Sequence, residues 1–235
     1  MDNYPGSGYK RLMELGMRIF DISASMIAIL VLWPLLLAVM CAIRLEDGGP
    51  VFFIQERAGF HGITFKIFKF RSMVTDAEQK GTGLFVDGEN DPRITRTGRI
   101  LRRTSLDELP QLINILKGEM SIVGPRPGLP SHIEEYTRKQ MRRLEVKPGL
   151  TGWAQINGRN SLTWPERIEL DIWYIDRRSM RLNMVIILGT IPALLGGGHY
   201  ARASNFSFDD SGDTGEKLPA DNTAEDVYHE AVSSR

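Results

Sequence analysis

Ile22-Ser23-Ala24-Ser25-Met26-Ile27-Ala28-Ile29-Leu30-Val31-Leu32-Trp33-Pro34-Leu35-Leu36-Leu37-Ala38-Val39-Met40-Cys41-Ala42-Ile43 is the stretch on which the fold turns. Its 22 residues carry no charge and lie between Asp21 and Arg44. A straight helix of that length spans about 33 Å, enough for a hydrocarbon layer of about 30 Å. A cleaved signal peptide fits poorly, because 21 residues precede the run and no A-x-A-like site follows it. A buried core helix is the soluble alternative, but uncharged runs this long point to membrane. Pro34 lies just past the centre and leaves the Leu30 carbonyl without its helical partner. A bend there gives two arms of roughly 18 Å, each too short to cross alone. Lys10, Arg11 and Arg18 precede the run, and Arg44 follows it. Retention of positive charge on the cytoplasmic side therefore pulls on both flanks. A re-entrant helix that dips in and returns satisfies both, and is preferred to a spanning one.

Outward from this segment, Asp47-Gly48-Gly49-Pro50 is a turn cluster. The runs Val51–Gln55 and Phe65–Phe70, separated by Gly59 and Gly62, predict a β-hairpin with Lys66, Lys69 and Arg71 on its second strand. Alternation slips near Phe68, which suggests a bulge or strand end there. Residues 76–92 are polar and Gly-rich and predict a loop. Helical patterns follow at Thr97–Arg103, Leu109–Lys117, His132–Glu145, Trp164–Arg178 and Leu182–Leu195. The last is apolar but 14 residues long and contains Pro192, too short to span.

Charge divides the chain. The 29 basic and 29 acidic residues cancel overall, but residues 205–235 carry a net −6 and the first 204 a net +6. A basic body favours phosphate-bearing partners, and the acidic tail predicts disorder. The single Cys41 excludes an intramolecular disulfide and any CxxC site, and the four dispersed histidines do not make a zinc centre.

Asp107-Glu108 is the first chemical candidate. Ser105 with Glu108 forms an S-x-x-E capping pattern, so helix capping alone accounts for these residues. However, Arg93, Arg96, Arg99 and Arg102 recur every three residues with Arg103 beside them, a single-signed row leading to the carboxylates. Guanidinium forks match phosphate oxygens, and two carboxylates repel a phosphate unless a divalent cation intervenes. Mg²⁺ resolves the conflict: one carboxylate holds metal while the other attacks phosphorus. In Gly124-Pro125-Arg126-Pro127, two prolines fix one guanidinium as a pre-organised phosphate clamp, beside the plainer reading of a stiff turn. Lys147–Arg159 places Trp153, Gln155, Asn157 and Arg159 among three glycines, either a ligand loop or a core tryptophan with polar neighbours. Arg138, Lys139, Arg142, Arg143 and Lys147 predict a basic helix face, solvated or turned to anionic lipid. Asp87, Glu89 and Asp91 lack the full EF-hand pattern and are taken as a polar loop.

Taken together, Arg18-Ile19-Phe20-Asp21, the Pro-interrupted apolar helix, Phe65–Met73, Asp91-Pro92-Arg93, Leu101–Leu112, Met120–Pro127 and Pro148–Asn160 resemble the bacterial sugar transferases, or monotopic phosphoglycosyl transferases, over residues 18–195. With that resemblance the chain is expected to be an α-rich α/β protein in three parts, of which the acidic tail has no counterpart in the family. These are a re-entrant membrane anchor over 1–46, a compact catalytic domain with a short β-hairpin over 47–204, and the acidic tail over 205–235. The resemblance implies transfer of a sugar 1-phosphate from a UDP-sugar to polyprenyl (undecaprenyl) phosphate, releasing UMP and starting glycan or exopolysaccharide assembly. Asp107 is then the nucleophile that forms a phosphosugar-aspartyl intermediate, and Glu108 helps hold Mg²⁺. Lys69, Arg102 and Arg126 fall at positions of phosphate or dyad contact, and Gln155, Asn157 and Arg159 on the nucleotide-sugar side. The expected location is the bacterial inner membrane with the catalytic domain facing the cytoplasm. A homo-oligomer is allowed, and nucleic acid is not an expected partner.

Three positions depart from the family pattern: Met17-Arg18 in place of a basic pair, Asn183 where an acid is common, and Gly128 where a larger residue is frequent. The chain resembles the small, minimal form of the family. The rival reading from another class is a non-catalytic membrane-tethered module that binds anionic lipid or nucleotide through its arginines.

Overall fold

The computed structural model describes residues 7–80, 88, 90–158 and 161–195. Arg159 and the acidic tail lie outside them. α1 (Ser7–Asp47) is a single helix of 41 residues that runs through Pro34. The expected helix-break-helix division is therefore not an interruption of the helix: the proline removes one rung of the ladder while the turns on either side keep theirs. α1 is long and apolar enough to cross a membrane. Much of its surface is open, with Leu12, Leu15, Ile27, Leu30, Val31 and Trp33 all exposed.

One stripe of α1 is covered. Met17, Asp21, Ser25, Val39 and Ile43 are buried, and their spacing keeps them to one side of the helix near each end. Near the start, Arg18 donates to the carbonyls of Ile115 (2.5 Å) and Leu116 (2.8 Å), and Asp21 accepts from the Ile122 N–H at 2.9 Å. Near the end, Val39 and Ile43 pack with Phe70 and Leu101. Glu46 there accepts from the N–H groups of Arg96 (2.7 Å) and Thr97 (3.0 Å), and Asp47 pairs with Arg71. Both ends of the apolar helix thus grip the same folded unit.

β1 (Phe52–Ala58) and β2 (Thr64–Phe70) form the expected antiparallel hairpin, from Phe52 opposite Phe70 to Ala58 opposite Thr64. The register is unbroken at Phe68, so no bulge is present. The slip in alternation arises because β2 buries both faces in turn. Phe65 and Ile67 pack with Leu112, Ile115 and Met120, whereas Phe70 packs with Val39, Ile43 and Leu101. Lys69 falls on the face of Phe65 and Ile67. Asn114, fully buried, accepts from the Phe68 N–H at 3.0 Å and donates to the Lys66 carbonyl at 2.7 Å, so the free edge of β2 is satisfied beside Lys69.

α2 (Arg96–Thr104) starts at Thr95, whose hydroxyl accepts from the Gly98 N–H at 2.9 Å. It ends at Ser105, left-handed with φ of 56°. A single 3₁₀ turn, Leu106–Glu108, leads into α3 (Gln111–Lys117), two residues later than expected. The expected capping box is not formed: Ser105 is left-handed and its side chain makes no cap hydrogen bond to the turn that follows.

β3 (Ser121–Val123) pairs in parallel with β4 (Gly149–Thr151). The helix expected over His132–Glu145 is two short 3₁₀ segments, Pro130–Glu135 and Gln140–Glu145, with Tyr136 extended between them. Thr137 and Gln140 exchange side-chain bonds with each other's backbone N–H (3.0 and 3.4 Å), which displaces the helical pattern. The predicted basic face dissolves with it. Lys139 and Arg142 pair with Glu169 and Asp176, and Arg143 is buried. α4 (Trp153–Ile156), α5 (Trp164–Arg177) and α6 (Met180–Leu195) complete the described chain. α5 opens with a capping box between Thr163 and Glu166, and its Trp164, Ile168 and Ile172 join Ala58, Ile133, Tyr136, Met141 and Leu144 in one core. α6 sets Ile186 against Val123 and Tyr174 while Met184, Val185, Leu188 and Ile191 remain exposed. The result is a helix-rich α/β unit with two small sheets and an apolar helix docked along it.

Candidate active site

Asp107 and Glu108 stand on the 3₁₀ turn between α2 and α3, and two other elements converge on them. Arg126 reaches Glu108 as a fork, Nη2 to Oε1 at 2.5 Å and Nη1 to Oε2 at 3.2 Å. Lys69 of β2 approaches the same carboxylate at 3.4 Å. The Asp107 carboxylate accepts no hydrogen bond among the described residues, yet it lies in the field of Lys69, Arg102 and Arg126. Adjacent in sequence, the two acids therefore have opposite circumstances: one is tied down and one is left open.

Arg126 owes its place to a strap. Gly124 donates to the Thr151 carbonyl at 2.9 Å, and the Pro125 carbonyl accepts from Gly149 at 2.8 Å. The Gly128 carbonyl accepts from Ala58 at 3.0 Å, and Arg57 reaches the Pro127 carbonyl at 3.5 Å. A Cβ on Gly149 would sit 2.1 Å from the Gly124 nitrogen, so the β3–β4 contact requires glycine there.

Electrostatics follows this geometry. Burial, and then the charge of Glu108, push Asp107 up to about 6 against the pull of the three cations. Burial likewise brings Lys69 down to about 8, opposed by Glu108. Arg102 carries a buried Nη1 with no hydrogen-bond partner among the described residues, a donor prepared for an anion. The rest of the predicted arginine row does not join it. Arg93 lies before α2, buried and paired with Asp91 at 2.7 Å, and Arg96 and Arg99 are exposed. Asp91 is thereby committed to structure, and Asp87 and Glu89 lie outside the described residues.

The second predicted loop is brought close by backbone rather than by side chains. Gln155 on α4 has both amide atoms buried without a partner, and its Oε1 lies 2.7 Å from where a Gly152 Cβ would stand, beside Gly124. Asn157 turns back on α4, donating to the Trp153 carbonyl at 2.9 Å, and Trp153 stacks on Trp173 at 4.6 Å. Trp153 is thus a packing residue here, and nothing places Asn157 at the dyad.

Among the described residues no group of three or more His, Cys, Asp or Glu side chains could hold a metal ion unaided. The dyad offers the open Asp107 carboxylate beside the Glu108 carboxylate that Arg126 and Lys69 hold. That donor set fits Mg²⁺ in the manner of sites completed by substrate phosphates and water.

A family model described as bacterial sugar transferase matches residues 12–197, most of the chain and all of this site. The chain belongs to the bacterial sugar transferase family. Among relatives in that family, the uncharacterized sugar transferase EpsL of Bacillus subtilis (strain 168) is 46% identical over 178 residues, covering 76% of this chain and 86% of EpsL. The exopolysaccharide production protein ExoY of Rhizobium meliloti (strain 1021) is 40% identical over 190 residues, 75% of this chain and 84% of its own. The UDP-glucose:undecaprenyl-phosphate glucose-1-phosphate transferase of Escherichia coli (strain K12) is 43% identical over 195 residues, 80% of this chain but only 41% of that longer protein.

Within this bacterial sugar transferase, five of the expected site residues (Asp107, Glu108, Lys69, Arg102 and Arg126) meet in one place. Sequence reading missed Arg57, which shares the field of Lys69 and touches the strap. It also missed Asn114. Neither has a spacing or motif partner, since each acts on backbone that only the fold brings near.

Proposed function

We propose that this protein transfers a sugar 1-phosphate from a UDP-sugar to polyprenyl phosphate at a membrane. The relatives' names supply the substrate class. The observation that carries the chemistry is the open Asp107 beside a Glu108 held by Arg126 and Lys69. Asp107 attacks the β-phosphorus of the nucleotide sugar, and the bond from that phosphorus to the bridging oxygen breaks. UMP leaves, and the sugar phosphate remains on the aspartate. An oxygen of the lipid phosphate then attacks the same phosphorus, the aspartyl bond breaks, and a polyprenyl-diphosphate sugar forms. Splitting the transfer lets one phosphate site serve both partners in turn.

The roles follow from the contacts. With a carboxyl held near 6, Asp107 is largely ionised at neutral pH. Arg126 and Lys69 fix Glu108, and Arg102 offers its unpartnered donor to the phosphate oxygens. Glu108 would help hold Mg²⁺, leaving the Asp107 carboxylate to attack phosphorus. The ion would screen the diphosphate from the two acids. Gln155 and the adjoining loop, including Arg159, are assigned to the nucleotide-sugar side.

Membrane placement rests on α1, both of whose ends pack on the same unit. A spanning helix would part its ends by about 30 Å of hydrocarbon, so contacts at both ends support an anchor that enters and leaves by one face, and the positive charges at its flanks favour the cytoplasmic one. The test is turnover of a panel of UDP-sugars with polyprenyl phosphate. One of them should yield UMP and a polyprenyl-diphosphate sugar, with turnover stopped by EDTA and restored by Mg²⁺. No product with any sugar refutes the activity, and indifference to EDTA removes the metal.

A further inference from the structure

One carbonyl of the Gly124–Gly128 strap is held by a group outside the site. Arg143 is buried in the core at 4% exposure and donates in three directions: to Asp171 Oδ2 at 2.8 Å, to the Tyr136 hydroxyl at 2.7 Å, and to the Arg126 carbonyl at 2.8 Å. Asp171 and Tyr136 are as deeply buried, at 1% and 2%, and the guanidinium lies over the Trp164 ring at 5.0 Å. Burying two charges costs several kcal/mol per ion, and apolar side chains of similar volume commonly serve stability as well or better. Stability alone therefore gives little reason for an ion pair in this core. The bond to Arg126 gives one.

Arg126 stands between two prolines whose φ angles are locked, so the backbone there has little freedom to absorb a displacement. A shift of its carbonyl is passed to its Cα and on to the guanidinium that grips Glu108. We propose that Arg143, itself held by Asp171 and Tyr136, is a positioning residue for the transfer reaction: it fixes the Arg126 main chain and, through it, the Arg126–Glu108 fork. The assignment rests on the functional reading above.

Arg143→Lys keeps a charge opposite Asp171 but cannot direct three donors at once. The single-turnover rate constant for UMP release without lipid acceptor, read at saturating UDP-sugar, should fall about 10- to 100-fold, with the half-saturating UDP-sugar concentration changing less than about 3-fold. In an Arg126→Lys background the same substitution should cost less than about 3-fold, because the element it acts through is already altered. The pair Arg143→Met with Asp171→Leu removes both charges together and covers the case in which the lysine variant does not fold. It should keep a thermal midpoint near that of the natural chain and still lose the rate. An equal loss in both Arg126 backgrounds, or full rate in the folded Met/Leu pair, overturns the positioning role while leaving the functional reading intact. Absence of UMP release from the natural chain with every UDP-sugar overturns the functional reading, and this assignment with it.

Discussion

In the proposed reaction Asp107 is the residue at which stability and chemistry oppose each other. Its carboxyl is held at about 6, against a usual value near 4, chiefly by burial and then by Glu108. The sign follows directly. Between about pH 4 and pH 6 the folded state binds more protons than the unfolded one, so stability falls as pH rises through that window and stays reduced above it. Asp107→Asn, neutral at every pH, escapes that loss. Its thermal midpoint at pH 7.5 should exceed that of the natural chain, by about 2–4 °C for each kcal/mol relieved, and the two should converge near pH 4. An unchanged or lower midpoint at pH 7.5 would contradict the strained aspartate. The residue pair was legible in the sequence because an Asp-Glu dipeptide among arginines is unusual company for a plain cap. What spacing could not reveal was the asymmetry between them. Arg126 lies 18 residues from Glu108 and Lys69 lies 39 residues away, and only the strap and β2 bring them together.

At the scale of elements, the hairpin, the apolar helix and α5 could be read because each carries its own pattern: β-branched and aromatic runs, an uncharged run and a helical pattern. The failures have physical causes. His132–Glu145 has helical composition, yet the Thr137–Gln140 exchange and the burial of Tyr136 and Arg143 outweigh propensity. Phe68 suggested a bulge because a strand buried on both faces imitates one. In α1 the sequence marks the apolar run but not its docking, which depends on Arg18, Asp21, Glu46 and Asp47 meeting distant backbone and side chains. That docking makes the anchor testable. With Cys41 replaced by Ser, single cysteines at Lys10 and at Gly48 should be labelled in intact inverted vesicles by a membrane-impermeant maleimide from the cytoplasmic face. Labelling of the two sites from opposite faces would establish a spanning helix and refute the re-entrant one.

The whole molecule joins an apolar anchor to a cationic site. Both ends of α1 are fastened to the unit that carries the dyad; in the proposed reaction a water-borne nucleotide sugar and a bilayer-held phosphate reach one aspartate in turn. The rival reading, a tethered module that binds without reacting, predicts that the carboxylates are dispensable. The two are separated by single-turnover reaction of the purified protein with its UDP-sugar in the absence of polyprenyl phosphate. UMP release is measured, and the protein is analysed by intact mass and peptide mapping. The natural chain should release about one UMP per molecule and gain one sugar phosphate on Asp107, while Asp107→Asn should do neither. Normal UMP release by Asp107→Asn, or a sugar phosphate mapped to another residue, would contradict the account.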